Sequence, residues 1–159
     1  MGDELSHLTE SGDVHMVDVS TKNPADRVAV AEAIVLMAGG TTDLLFGDGL
    51  PKGDALATVR VAAIMGAKRT PELVPLCHPV ALTAVSIDVE RVAIGARIVV
   101  TAKSTGQTGV EMEAMTGAMI GALTMYDMVK GVERSVEIGP VRLLAKSGGK
   151  SGTWTRTAG

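Results

Sequence analysis

Aromatic residues are nearly missing from the sequence: one Phe, one Trp and one Tyr in 159 residues. Stacking platforms for single-stranded nucleic acid need several rings, so that class is excluded. A net charge of -3 gives no basic face for a phosphate backbone either. A single cysteine rules out an internal disulfide and points to a reducing, cytoplasmic setting. Apolar stretches such as Ala114–Tyr126 fall short of the roughly 20 residues needed to cross a bilayer, so no membrane span is expected. The start, MGDELSHLTESGD, is acidic and lacks the apolar segment of a secretory signal. Gly2 and Ser6 fit a myristoylation pattern, but no basic cluster adds the second membrane signal that stable anchoring takes.

What is there is aliphatic. Hydrophobic residues make up 46%, including nine Met, enough for a core of Val, Leu, Ile, Ala and Met in one domain. Residues 1–12 read as a mobile lead, 13–146 as a single α+β domain, and 147–159 as a loose tail rich in Gly, Ser and Lys. Val14–Ser20 and Arg27–Met37 read as strands. Gly39-Gly40 and Gly47–Gly53 read as punctuation. Asp54–Lys68 has helical spacing and cations at its end. Thr70-Pro71-Glu72 then opens a short turn of helix. Val85, Ile87 and Val89 alternate with Ser86, Asp88 and Glu90 in a strand over Ala81–Glu90. Ala96–Lys103 is its partner across a loop at Arg91–Gly95, Thr108–Val132 is the longest helix, and Val136–Lys146 is a last strand. From Arg27 the order is β-α-β-β-α-β, which predicts a ferredoxin-like sandwich with an additional N-terminal strand.

Several groups of residues could carry chemistry. In PLCHPV, Cys77 and His78 point to opposite faces if the segment is extended, so they neither share a proton nor bind one metal together. His7 and His15 lie in or near the lead, and no metal-ligand spacing occurs elsewhere. Cys77 reads as a small hydrophobe, and His78 is open between a structural and a functional role. On the longest helix Glu113, Thr116, Ile120, Thr124 and Asp127 share one side, with Lys130 a turn beyond Asp127. Asp127 and Lys130 are an acid–base pair or a plain surface ion pair. Ala114, Gly117, Ala118, Gly121 and Ala122 form a strip for close approach, to a second copy or to the chain's own sheet. KSGGKSG, 146–152, resembles the end of a nucleotide P-loop, but Leu144 stands where its first glycine belongs. Arg27, Lys52, Lys68, Arg69, Lys130 and Lys146 sit at element ends; brought together, they would suit a di- or triphosphate.

The blocks MVDVSTK, RVAVAEA, PKGDALATVRVAAIMGAKRT, LCHPVALT, TGVEMEAMTGAMIGALTMYDMVK and VRLLAKSGGKSG together resemble the cyclic pyranopterin monophosphate synthase (MoaC) family of molybdenum cofactor biosynthesis, from about Leu8 to Gly152. The resemblance implies a lyase that converts a cyclised dihydro-GTP, its 3',8-cyclo form, to cyclic pyranopterin monophosphate and releases diphosphate. It implies no metal and no organic cofactor. It assigns Asp127, Lys130 and Lys52 to catalysis, and Leu76, Cys77, His78, Met112, Glu113, Arg27 and Lys146 to substrate binding. Gly131 stands where the family pattern leads one to expect Ala. A homo-oligomer is implied, a hexamer built as three dimers. Glu113 and Asp127 are about 21 Å apart along one helix at 1.5 Å per residue, a gap a nucleotide triphosphate can just bridge within one chain; the simpler geometry, an antiparallel partner helix across a two-fold axis, makes a site shared between two chains the expectation. Two other classes remain open on the residues alone: a non-catalytic binding module on the same fold, and a phosphatase- or cyclase-like enzyme acting on an ordinary nucleotide.

Overall fold

The computed structural model describes residues 8–9 and 11–157; His7 lies outside the described residues, as does most of the expected lead. The elements are β1 (Ala25–Leu36), α1 (Gly39–Phe46), α2 (Ala55–Lys68), α3 (Thr70–Leu73), β2 (Leu82–Val92), β3 (Gly95–Gly106), α4 (Glu111–Val129), β4 (Glu137–Ser147) and β5 (Trp154–Thr155). The sheet order is β2-β3-β1-β4-β5, with every pairing antiparallel. Without β5 this is the order of a ferredoxin-like βαββαβ fold, as the alternation of elements predicts.

The helices cover one face. Alternate β1 residues Ala29, Ala31, Ala33 and Val35, with Ile98 and Val100 from β3, are fully buried because period-two alternation sends them to the helix side. They meet Val59 and Ala63 of α2 and Ala114, Ala118, Ala122 and Met125 of α4 in one core. So many alanines let the helices lie close to the sheet. A Cβ on Gly66 of α2 would come 2.8 Å from Ile120, and one on Gly117 would come 3.1 Å from the Ala63 carbonyl oxygen. The small-residue strip of α4 is therefore consumed inside the chain, against α2 and β3. It is not the surface for a second copy that the sequence left open.

On the opposite face, Glu32 is only 3% exposed and accepts from Arg97 Nε at 2.6 Å and Arg142 Nε at 2.5 Å. Burial opposes its charge, but Arg142 and Arg97 outweigh it and hold the carboxyl below its ordinary range.

Four expectations are corrected. The strand at Val14–Ser20 does not form; Val14 makes one isolated bridge, to Leu8, and β1 already has a partner on each edge. Helix α1 was read as punctuation. Its first residue follows Ala38, which gives no side-chain cap, and the missing acceptor comes from Glu133, whose Oε2 takes Ala38 N at 3.0 Å and Thr41 Oγ1 at 2.6 Å. The tail after Ser147 is not loose throughout, since β5 pairs with β4. The β2–β3 turn is two residues, Ala93 and Ile94, because Val92 pairs directly with Gly95.

Candidate active site

The structure sorts the ten predicted site residues into two groups at opposite ends of α4. The first turn of α4 holds Met112 and Glu113. The same end carries the start of β1 with Arg27, the end of β4 with Lys146, and the approach to β2 with Leu76, Cys77 and His78. The strand register shows this, since Arg27 and Leu82 both lie opposite Ser104, and Val28 opposite Ser147.

A cavity of about 480 Å³ opens here, lined among others by Val17, Lys22, Cys77, His78, Met112 and Glu113. Its back wall is the N-terminal segment. His78 Nε2 lies 2.7 Å from the Val17 carbonyl oxygen, and a carbonyl only accepts, so Nε2 carries the proton and Nδ1 is the acceptor in the neutral ring. Gln107 Nε2 holds the same segment at Ser20 O, at 3.3 Å. Glu113 is 3% exposed; burial, and then the Glu111 charge, push its carboxyl above the usual range. Burial and the nearby Glu113 charge push the Cys77 thiol up as well, which disfavours the thiolate a nucleophile needs.

A second cavity of about 340 Å³ adjoins, lined by Lys22, Asn23, Pro24, Ala25, Arg27, Gly149 and Lys150. Lys22 lines both. Lys22 and Lys150 were not singled out by spacing; Lys22 ends the MVDVSTK block just ahead of β1, which was its only signal. Arg27 is fixed by its Nε to Gly106 O at 3.3 Å and its NH2 to Gln107 O at 3.2 Å. Lys146 lines neither cavity and donates to Ser151 Oγ.

The other end of α4 holds the second group. Asp127 Oδ1 pairs with Lys130 Nζ at 2.6 Å, one turn on. Its Oδ2 accepts from Lys52 Nζ at 2.9 Å, and Lys52 also donates to the Asp127 backbone oxygen at 2.8 Å. Lys52 arrives from the turn between α1 and α2, which buried Leu50 anchors. The Lys130 and then the Lys52 ammonium hold the Asp127 carboxyl down at about 2. An i,i+3 pair alone was visible in the sequence; the second lysine makes it a cation–carboxylate–cation triad. Among the described residues, no three His, Cys, Asp or Glu side chains gather to hold a metal ion, and no helix is long and apolar enough to cross a membrane.

Residues 16–149 match the MoaC family. The chain is 51% identical to a cyclic pyranopterin monophosphate synthase of Corynebacterium glutamicum over 96% of its own length and 97% of the relative's. It is 52% identical to that of Corynebacterium efficiens, covering 96% and 98%. With that of Streptomyces coelicolor it shares 50%, covering 98% and 91%. With a family match over residues 16–149 and relatives about half identical over nearly the whole chain, the chain belongs to the MoaC family.

Proposed function

We propose that the protein is a cyclic pyranopterin monophosphate synthase, a lyase that rearranges the 3',8-cyclo form of dihydro-GTP to cyclic pyranopterin monophosphate and releases diphosphate, in the cytoplasmic synthesis of the molybdenum cofactor. Family membership carries this reading. The geometry supports it. Rebuilding a purine as a pterin takes repeated proton transfers, which suit Asp127 with its two lysines, Lys130 and Lys52, while the buried Glu113 carboxyl and the His78 imidazole with its fixed tautomer hold the substrate. Closing the cyclic phosphate forms a bond from a sugar hydroxyl oxygen to the α-phosphorus and breaks the bond to the β-phosphate. The hydroxyl proton must leave, and the departing diphosphate must be matched by cations. Arg27, Lys22 and Lys150 line one half-site, while Lys52 and Lys130 flank Asp127 in the other. Leu76, Cys77 and Met112 serve as walls, and Lys146 braces the loop that carries Lys150.

The two half-sites meet when a second copy docks. Met112, Met119 and Leu123 are exposed and fall within about 40° on α4 at 100° per residue. This apolar stripe runs from the Glu113 end toward the Asp127 end. Antiparallel apposition of two such stripes sets Glu113 of one copy toward the Asp127 end of the other. Three such dimers make the hexamer. The catalytic unit is the expected domain of residues 13–146 together with the segment through β5 that carries Lys150.

The test is incubation with the cyclised dihydro-GTP, with GTP as control, each with and without excess chelator. Diphosphate and pterin should form from the cyclised nucleotide alone. Tight binding without diphosphate release would mark a binding module instead. Consumption of GTP, abolished by chelator, would mark a metal-dependent nucleotide enzyme.

A further inference from the structure

We infer that the C-terminal strand β5 is a clasp that builds the cationic cavity, with Trp154 and Arg156 as positioning residues for the polyphosphate arm of the substrate. The inference rests on the proposed function only in naming that arm; the cavity and the clasp are features of the fold.

The clasp is assembled from few parts. Ala145 lies opposite Thr155 and Lys146 opposite Trp154. A two-residue strand has too few ladder bonds to hold itself. Arg156 supplies the rest. Its backbone N donates to Leu144 O at 2.7 Å, its Nε donates to Leu143 O at 2.7 Å, and its guanidinium lies over the Trp154 ring, 5.8 Å from the centroid.

What the clasp closes is the loop 148–153. Gly152 N donates to Gly149 O at 3.1 Å, and Lys146 Nζ crosses the loop to Ser151 Oγ. Gly148 and Gly149 have φ of +96° and +70°, in the region that favours glycine. A Cβ on Gly148 would strike the Asp26 carbonyl oxygen, and one on Gly149 would strike the Arg27 guanidinium. The loop is thus pressed flat on the start of β1, and Arg27 is held between it and the carbonyls of Gly106 and Gln107.

The product is a cavity with three cations, Lys22, Arg27 and Lys150, and no carboxylate among its lining residues. Such a pocket takes a polyanion. Lys22 lines both it and the cavity of Cys77, His78 and Glu113. Trp154 pairs directly opposite Lys146, which puts the two side chains on the same face of the sheet. The Asp127 triad belongs to the far end of α4, so releasing the clasp acts on binding and leaves the chemistry there in place.

The experiment uses the full-length chain and two readouts: calorimetric affinity for inorganic tripolyphosphate, and steady-state kinetics on the cyclised dihydro-GTP. Arg156→Ala and Trp154→Ala should each weaken tripolyphosphate binding about fivefold, the scale of one lost hydrogen bond. They should raise KM by the same factor with kcat within about twofold, and melting temperatures should hold. Arg156→Lys, which keeps a cation over Trp154, should restore most of the affinity. Lys150→Ala should weaken binding too, and adding Arg156→Ala to it should cost little more, because both act on one loop. Unchanged tripolyphosphate affinity in Arg156→Ala, or full additivity with Lys150→Ala, overturns the clasp. Weakened tripolyphosphate binding in a protein that never turns over the cyclised nucleotide leaves the clasp standing and removes the proposed function.

Discussion

Glu113 and Asp127 project from the same side of α4 in opposite environments: Glu113 is sealed in its first turn, 3% exposed, and Asp127 stands near its last turn with 53% of its side chain in solvent. About 21 Å of helix separates them. Mixing Glu113→Ala and Asp127→Ala chains after dissociation therefore tests the shared site. Each parent should be nearly inactive. In an equal mixture half the dimers are mixed, each with one intact site of two, so roughly a quarter of wild-type activity should return. No recovery, with mixed dimers shown to form, would place both carboxylates in a site of one chain.

Glu113→Gln should separate stability from activity. Burial raises the Glu113 pKa, so the folded state holds its proton more tightly than the unfolded chain does. The carboxylate then costs stability above its folded pKa, and the cost fades as pH falls toward its ordinary value. The Gln variant should melt higher than wild type at neutral pH, with the gain shrinking on acidification through that window. It should also be inactive. A constant gain at all pH values would mean that charge is not its source.

Cys77→Ser should retain most activity. The thiol is pushed up by burial and by the Glu113 charge, so it reacts poorly as a nucleophile, and it serves as a wall. A folded but dead Ser variant, by circular dichroism and turnover, would restore Cys77 to the chemistry.

Two glycine substitutions should move stability in opposite directions. Gly66→Ala gains helix propensity of about 1 kcal/mol but drives a methyl to 2.8 Å from Ile120. Overpacking typically costs about 1–3 kcal/mol, so the melting temperature should fall. Gly131→Ala meets nothing within 4 Å and should stabilise by about 0.5 kcal/mol through the unfolded chain. A stabilised Gly66→Ala would mean that α2 and α4 can move apart.

Much of the fold could be read residue by residue. The helix expected from Asp54 forms as α2, with Asp54 accepting from Ala57 N at 2.9 Å, and Ile87 is buried where the alternation placed it. These are local signals. Helix α1 was hidden because its cap, Glu133, lies 95 residues away from Ala38. Val14–Ser20 has a strand's pattern, but pattern does not say whether an edge is free to pair. The same limit holds for the candidate site. Spacing put Lys130 beside Asp127, whereas Lys52, 75 residues earlier, reaches them only through the fold. Sequence order does not say which end of the sheet a residue occupies either: the distance from Glu113 to Asp127 along α4 was legible, but the grouping of Arg27, Lys146 and His78 with Glu113 was not.

The central place of β1 has a consequence for synthesis. It is the first strand made, yet its neighbours arrive late: Glu32 finds Arg97 65 residues downstream and Arg142 110 residues downstream. At about 5–20 residues per second on the ribosome, β1 waits roughly 3 to 13 seconds for β3 with both edges open, and its second edge stays open for about 5 to 22 seconds until β4 emerges. Pairings of such long sequence separation also close slowly once available. A chain halted before β4 would expose an Ala- and Val-rich edge suited to pairing with other nascent chains. The vulnerable stage of this protein is its birth, and soluble yield should follow how well β1 is shielded until the last strand emerges.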